Sequence, residues 1–289
     1  METDGRHAVV AFSDRLEEDA RRRDLTFNAL YADRQGRVED PVGTGIADLA
    51  AGLVRFVGDP GERIREDYLR ILRYFRFLAW FGDPKAGPDA DTLAAISNNL
   101  ASLDTLAAER TGHEMRRLLG APDPLPALGA MAQIGALALV LPGADITAVG
   151  PLVHLEAETG IAPDWLRRLI ALGGADAQDR LRLSKHEAQT VDRTREAVGS
   201  TMGDAALGYR LGEDAARSVA LIRAALSANP LPPGTLNAIQ SGAEATFPVA
   251  AKDLMPAFEG PALGAQLRAL EDRWIASGFT LDRQALLGD

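Results

Sequence analysis

The spacing of apolar residues beyond residue 61 constrains the fold most strongly. Leu69, Leu72, Phe75, Leu78 and Ala79 recur at the spacing of three to four residues that is typical of an amphipathic α-helix, and Gly82 follows as a stop signal. The same pattern predicts further helices over residues 92–103, 106–119, 125–133, 165–172, 185–197, 214–226 and 263–277. Most of the chain is therefore expected to form an all-helical structure.

Strand signals are confined to the first sixty residues. His7–Phe12, Gly36–Asp40 and Val54–Val57 are short segments of the kind that forms strands, and a helix carrying Arg21 to Asp24 is predicted after the first. Two or three strands are too few to build an independent sheet. The predicted architecture is a small α/β remnant followed by a long helical body, with a break at residues 120–126.

Composition excludes several classes of protein. The 289 residues include no cysteine, so disulfides and thiolate metal sites are excluded and a reducing, cytoplasmic location is predicted. The first ten residues are too polar for a signal peptide, and no apolar run is long enough to span a membrane. A formal net charge of −10 argues against broad electrostatic capture of nucleic acid, although it leaves room for a local basic groove.

The segment Arg63–Arg76 holds the clearest chemical signal. Asp67 and Arg70 are three residues apart and are expected on one face of a helix. The carboxylate can accept a hydrogen bond from the exocyclic amine of cytosine or adenine, while the guanidinium donates to the adjacent ring nitrogen or carbonyl. Guanine and uracil place an oxygen where the amine should be, at a cost of about 1–3 kcal/mol for each unpaired buried group. This pair is therefore predicted to accept C and A and to reject G and U.

The same residues have a purely structural interpretation. An acidic and a basic residue at this spacing often form only a weak surface ion pair, and the run Arg21–Arg23 is often a solvated helix face. Arg73 and Arg76 continue the spacing of three, but each step falls about 60° short of a full turn. Arg73 can still point into the same groove, whereas Arg76 is expected to face nearly opposite to Asp67.

Five segments in order resemble the motifs of the class II tRNA nucleotidyltransferase and bacterial poly(A) polymerase family. They are Arg22–Ala29, Asp40–Gly43 with Asp48 and Leu49, Val57–Pro60 with Arg63, Glu66, Asp67 and Arg70, Glu109–Arg110 with Glu114, Leu118 and Leu119, and Asp253–Leu254 with Gly260 and Gly264. The resemblance runs to the C-terminal end of the chain. It implies a mainly α fold, with a partial nucleotidyltransferase head at residues 1–58, a helical neck with the base-reading motif at 59–120, and an RNA-binding body and tail at 121–289.

The resemblance also implies which residues contact the nucleotide. They are Arg23, Asp24, Asp67, Arg70, Arg73 and Arg76. Arg23 would contact the phosphates and Asp24 the ribose hydroxyl, while Asp67 and Arg70 would read the base. The implied reaction is Mg²⁺-dependent transfer of CMP and AMP from CTP and ATP to the 3′ end of a tRNA or another RNA primer.

One family feature has no counterpart in this sequence. The family head carries an Asp-x-Asp pair that holds two magnesium ions, and the best pattern here is Asp89-Ala-Asp91, where Asp89 is predicted to cap a helix instead. Met1 stands where the family has a valine. We therefore expect either that the reading frame was begun too late or that the gene is truly truncated at its N-terminal end, and that this chain is inactive alone. Poly(A) polymerase activity, a non-catalytic nucleotide- or RNA-binding module and an inactive fragment stay open as alternatives, as does the oligomeric state.

Overall fold

The computed structural model describes residues 15–288, and these are mostly helical, as predicted. The helices are α1 (Leu16–Arg22), α2 (Gly45–Ala50), α3 (Pro60–Glu66), α4 (Leu69–Phe81), α5 (Ala90–Ser97), α6 (Ala108–Leu119), α7 (Leu125–Gln133), α8 (Ala136–Val140), α9 (Val149–Thr159), α10 (Trp165–Leu172), α11 (Ala177–Arg180), α12 (Lys185–Gly199), α13 (Asp204–Leu211), α14 (Glu213–Leu226), α15 (Thr235–Glu244), α16 (Gly260–Ala276) and α17 (Arg283–Leu287). Short 3₁₀ helices cover Thr26–Ala29, Leu100–Thr105 and Ala251–Asp253. None of the helices within residues 15–288 has the length and apolar character that a membrane span requires.

The described residues contain one small sheet. Strands β1 (Tyr31–Ala32) and β2 (Val38–Glu39) are antiparallel, with Tyr31 opposite Glu39. The strand predicted over Gly36–Asp40 is therefore confirmed in β2. The strand predicted over Val54–Val57 is wrong, because this segment forms only an isolated bridge between Leu25 and Phe56. The predicted strand His7–Phe12 lies outside the described residues.

Asp67 and Arg70, which were expected on one face of a helix, lie where α3 ends and α4 begins. Asp59 begins α3, where its Oδ1 accepts a hydrogen bond from the Glu62 amide at 2.7 Å. Asp67 is extended (φ −156°, ψ 108°) and interrupts the helical backbone. Its Oδ1 then accepts from the Leu69 amide at 3.1 Å and its carbonyl accepts from the Arg70 amide at 3.0 Å. Asp67 thus caps the start of α4 instead of lying inside a helix.

Helix α4 forms the centre of the first of two compact units, which comprises the described residues of Met1–Val153 and Ala162–Glu187. Its buried face is formed by Ile71, Leu72, Tyr74, Phe75 and Leu78, and it packs against α6 and α7. Each such side chain stabilises the fold by about 1.5–3 kcal/mol when fully buried. Gly82 ends α4, as its position in the sequence predicted.

Close helix contacts in this unit depend on Gly112 and Arg168. A Cβ at Gly112 of α6 would lie 1.9 Å from the carbonyl oxygen of Leu181, so only glycine allows this approach. Arg168 of α10 is 1% exposed and donates to the carbonyl oxygens of Leu119 and Ala121 at the end of α6. Trp274 is buried, whereas Trp80 is 46% exposed and its indole donates to the Arg117 carbonyl at 2.7 Å.

The second compact unit comprises His154–Ile161 and the described residues of Ala188–Asp289. Leu207, Val219 and Ile239 form the core of a helical group built from α13, α14 and α15. Helices α13 and α15 approach closely at two glycines, since a Cβ at Gly208 would lie 2.0 Å from the Ile239 carbonyl oxygen and one at Gly242 would lie 1.9 Å from that of Ala205. A second core gathers the aromatic rings of Tyr209, Phe247, Trp274 and Phe279. The three-part division into head, neck and body stays a prediction.

Candidate nucleotide-binding site

A polar pocket lies in the first compact unit, where the end of α1, the start of α4 and the start of α6 meet. It has a volume of about 240 Å³. Its lining residues are Arg22, Arg23, Asp24, Asn28, Asp67, Leu69, Arg70, Arg73 and Arg110. We call it the arginine pocket. Five arginines face two aspartates, so a chain with a net negative charge carries a locally positive site.

Asp24 is the buried anchor of the arginine pocket and is only 5% exposed. Its Oδ1 accepts from the Leu25 amide at 3.0 Å and from the Asn28 side chain at 2.8 Å, and its Oδ2 accepts from Nε of Arg73. Burial by itself would raise the pKa of this carboxyl, but the hydrogen bonds from Arg73 and Asn28 outweigh burial and lower it. The carboxylate is therefore charged at neutral pH and fixes the position of Arg73.

Arg23 lies at the end of α1, where a second carboxylate orients it. Its guanidinium donates to Asp19 Oδ2 at 2.9 Å, and the same oxygen accepts from the Tyr31 hydroxyl at 2.6 Å. The hydrogen bond from Tyr31, followed by that from Arg23, lowers the pKa of Asp19. Arg23 is thus held at the rim of the pocket by an ionised partner outside the pocket.

Arg70 is fixed from three sides. Its Nη1 donates to the Arg63 carbonyl at 3.0 Å and to Glu66 at 2.5 Å, and its Nη2 donates to the Arg22 carbonyl at 3.2 Å. The last bond ties α4 to the end of α1 and to the two arginines there. A guanidinium has five N–H groups, so within residues 15–288 the Nε–H and one Nη2–H of Arg70 have no protein acceptor and are available to a ligand.

Asp67 is fixed by two donors, and neither of them is Arg70. The Leu69 amide engages its Oδ1, and Arg110 at the start of α6 engages its Oδ2 at 2.7 Å. Each carboxylate oxygen has two acceptor positions, so one remains on each. The expectation that Asp67 and Arg70 face one site is met by the pocket, although a helix break and not a continuous helix brings them together.

Arg76 is not among the residues that line the arginine pocket. It is 7% exposed and its Nε lies 2.6 Å from Glu114 Oε2. The two atoms are close but misaligned, so neither makes a hydrogen bond within residues 15–288. Burial lowers the pKa of Arg76 despite Glu114, and its guanidinium lies 4.0 Å from the centre of the Phe77 ring. The ion pair between Arg76 and Glu114 links α4 to α6. The nucleotide contact predicted for Arg76 stays a prediction.

Sequence reasoning assigned no role to Arg22, Asn28 or Arg110, although all three line the arginine pocket. Each falls inside a segment that resembles a family motif, so a signal was present in the sequence. Asn28 is placed by the turn that follows Asp24, and the local sequence is sufficient to predict that placement. Arg110 contacts Asp67, which lies 43 residues earlier in the chain, and no local sequence pattern predicts that contact.

A buried polar cluster below the arginine pocket holds the 3₁₀ helix Thr26–Ala29 in place. Asp48 of α2 is 1% exposed, accepts from the Thr26 hydroxyl at 2.6 Å and pairs with Arg55. Backbone bonds from Thr26 to Arg55 and from Val57 to Asp24 complete the cluster, at 3.0 and 2.9 Å. The motif residue Asp48 therefore supports the loop that carries Asn28.

Asp89 caps α5, as predicted, because its Oδ2 accepts from the Thr92 amide at 2.8 Å. Within residues 15–288 no group of three or more His, Cys, Asp or Glu side chains is arranged to hold a metal ion.

Family models and known proteins match the chain along most of its length. The model described as "Poly A polymerase head domain" matches residues 1–55, and the model described as "Probable RNA and SrmB- binding site of polymerase A" matches residues 88–146. The mitochondrial CCA tRNA nucleotidyltransferase 1 of Mus musculus is 30% identical over an alignment of 310 residues. That alignment includes 99% of this chain and 69% of the mouse protein.

Two further similarities concern bacterial enzymes. The CCA-adding enzyme of Bordetella pertussis is 40% identical over 147 residues, which are 50% of this chain and 39% of that protein. A crystal structure of the Bacillus stearothermophilus CCA-adding enzyme in complex with CTP superposes with a TM-score of 0.66 at 25% identity, covering 92% of this chain and 71% of that one. Since the mouse alignment takes in nearly the whole chain and more than two thirds of its relative, the chain belongs to the CCA tRNA nucleotidyltransferase family.

Proposed function

We propose that this protein selects CTP and ATP for transfer of CMP and AMP to the 3′ end of a tRNA. The observation that carries the proposal is the joint placement of Asp67 and Arg70 in the arginine pocket, each immobilised by protein contacts and each with unused hydrogen-bonding capacity. A fixed acceptor beside a fixed donor matches the amine and ring nitrogen of cytosine and adenine. Guanine and uracil would set a carbonyl oxygen against the carboxylate.

The remaining pocket residues fit the other parts of a nucleotide. Within the described residues, Arg73 donates only its Nε–H, in the hydrogen bond to Asp24. Its terminal nitrogens are therefore available to phosphate oxygens. Arg23 is held at the rim and serves the same anion. Asp24 has one acceptor position left on Oδ2, which is assigned to a ribose hydroxyl. Arg76 is the least direct of the proposed contacts, because its guanidinium faces Glu114.

Magnesium enters the proposal only through the family. In a two-metal mechanism the ions activate the primer hydroxyl and stabilise the leaving pyrophosphate. No step is assigned to them here, because residues 15–288 offer no suitable group of ligands. The task of the described residues is to bind the nucleotide, orient it and exclude the wrong base.

Nucleotide binding gives the first test. The full chain is titrated calorimetrically with CTP, ATP, UTP and GTP under identical conditions. Tighter binding of CTP than UTP, and of ATP than GTP, is expected, because only the first member of each pair presents an amine to Asp67. Equal affinities within both pairs would contradict the proposal.

Primer extension gives the second test and separates the candidate functions. The full chain is incubated with Mg²⁺, CTP, ATP and a tRNA that lacks its terminal CCA. Addition of three nucleotides supports the proposal. A long adenosine tail would support poly(A) polymerase activity, which the description of the matching head model favours as the second candidate. Selective binding without extension would support a nucleotide-binding module, the outcome expected if the chain is inactive alone.

A cytoplasmic location stays a prediction, and the mouse relative is mitochondrial by name.

A further inference from the structure

We infer that Arg110 is a positioning residue that sets the base selectivity of Asp67, an inference that rests on the proposed function. Arg110 is the second residue of the motif-like pair at the start of α6, and its guanidinium donates to Asp67 Oδ2 at 2.7 Å. It lines the arginine pocket beside Asp67 and Arg70. Its side chain is half exposed, so the contact contributes little to holding the fold together.

Asp67 needs an external support because of where it lies. It occupies the extended break between α3 and α4, and 37% of its side chain is exposed. The Leu69 amide holds Oδ1 alone, and one hydrogen bond leaves the carboxylate free to rotate about it. Arg110 engages the second oxygen and so defines the plane of the carboxylate. The acceptor positions that remain then have a fixed direction towards the pocket.

Selectivity requires that direction. A carboxylate that can turn is able to move its oxygen away from the carbonyl of guanine or uracil, and Arg110 prevents this escape. Arg70 cannot replace Arg110 in this task, since its bonded N–H groups are directed to Glu66 and to two main-chain carbonyls. Nucleotide discrimination therefore depends on three side chains from two separate segments of the chain, because Asp67 and Arg70 belong to one segment and Arg110 to α6.

The test compares the affinities of four forms of the full chain for CTP, UTP, ATP and GTP. Arg110→Ala is expected to reduce the preference for CTP over UTP, and for ATP over GTP, by about three- to tenfold. Arg110→Lys restores one donor and is expected to recover part of that preference. The matched control is Glu109→Gln, on the neighbouring residue of α6, whose ion pair with Arg182 at 3.2 Å lies outside the pocket.

A double variant separates positioning from a general loss of structure. In an Asp67→Ala background, Arg110→Ala should leave the remaining preference unchanged, because Arg110 acts through Asp67. A further loss of preference in that background, or full preference in Arg110→Ala alone, would overturn the role of Arg110 while leaving the proposed function in place. Equal affinities of the unaltered chain for the paired nucleotides would overturn the proposed function, and the role of Arg110 with it.

Discussion

Two groups of arginines differ in how their N–H groups are used. One group lines the arginine pocket, and the other bonds to main-chain carbonyls at the ends of helices. Arg168 is buried and directs its terminal nitrogens to the carbonyls of Leu119, Ala121 and Pro122. In the second unit, Arg223 likewise donates to the carbonyls of Ala197, Val198, Ser200 and Met202. These guanidinium groups satisfy the ends of helices, where carbonyls lack a partner in the helix itself.

The pocket arginines are anchored by only part of their hydrogen-bonding capacity. Arg73 gives one N–H to Asp24, and Arg110 gives one nitrogen to Asp67. Their remaining donors face a polar opening instead of buried carbonyls. Unused donor capacity on an immobilised arginine, more than charge alone, therefore distinguishes the arginines proposed to bind the nucleotide from the structural ones.

Loss of a structural arginine should have the largest effect on stability. Arg168→Ala would leave at least two buried carbonyls without their hydrogen-bond donor and would create a cavity. The free energy of unfolding should therefore fall by about 3 kcal/mol or more. Urea unfolding followed by circular dichroism measures this loss. Arg117→Ala, at an exposed position of α6, is the control and should change little. If Arg168→Ala reduced nucleotide selectivity without lowering stability, the division between the two kinds of arginine would be wrong.

Loss of a pocket arginine should show the opposite pattern. Arg70→Ala removes the donor to the base, so the affinities for CTP and ATP should both fall by about tenfold or more, with a smaller change in unfolding free energy. Calorimetric titration measures the affinities. Arg65→Ala, exposed on α3 and outside the pocket, should stay within about twofold of the unaltered chain. A defect confined to one of the two nucleotides would contradict a shared reading of both bases.

The sequence predicted several helices accurately but gave no prediction for α9, α13 or α15. Helices α7 and α10 begin and end at the predicted residues, because amphipathic spacing is a local property. The break at Asp67 carries no glycine or proline and was missed, since it arises from the hydrogen bonds that this side chain makes to the following turn.

Long-range partners were beyond the reach of local patterns. Arg23, Asp24, Asp67, Arg70 and Arg73 line one pocket, and the nucleotide contacts predicted for them stay predictions. The pairing of Arg110 with Asp67 and the burial of Arg168 depend on how α6 packs against its neighbours, which the spacing of residues within each helix does not specify. The sequence motifs therefore indicated the candidate site residues, whereas the partners of those residues depend on tertiary structure.

The charge on Asp24 should contribute stability that depends on pH. Its pKa is lowered in the folded chain, mainly through Arg73 and Asn28 acting against burial, so the contribution is complete above the unfolded value of about 3.9 and is lost as pH falls through the folded pKa. Asp24→Asn should therefore be less stable than the unaltered chain at neutral pH, and the difference should shrink below about pH 4. Unfolding free energies measured from pH 7 to pH 3 test this, and a difference that does not vary with pH would refute it.

The smallest effect is expected at Glu109, the residue next to Arg110 in the first turn of α6. Its ion pair with Arg182 joins two side chains that are each about two-thirds exposed, at 3.2 Å. Water and salt screen such a pair, and the favourable position of a carboxylate near a helix start adds only a fraction of a kcal/mol. Glu109→Gln should therefore lower the free energy of unfolding by less than about 1 kcal/mol, and less still in high salt. Urea unfolding at low and high salt measures that loss, while the nucleotide preferences should stay unchanged. If Glu109→Gln altered those preferences as much as Arg110→Ala, the start of α6 would act on the pocket as a whole, and the effect could no longer be assigned to the single contact between Arg110 and Asp67.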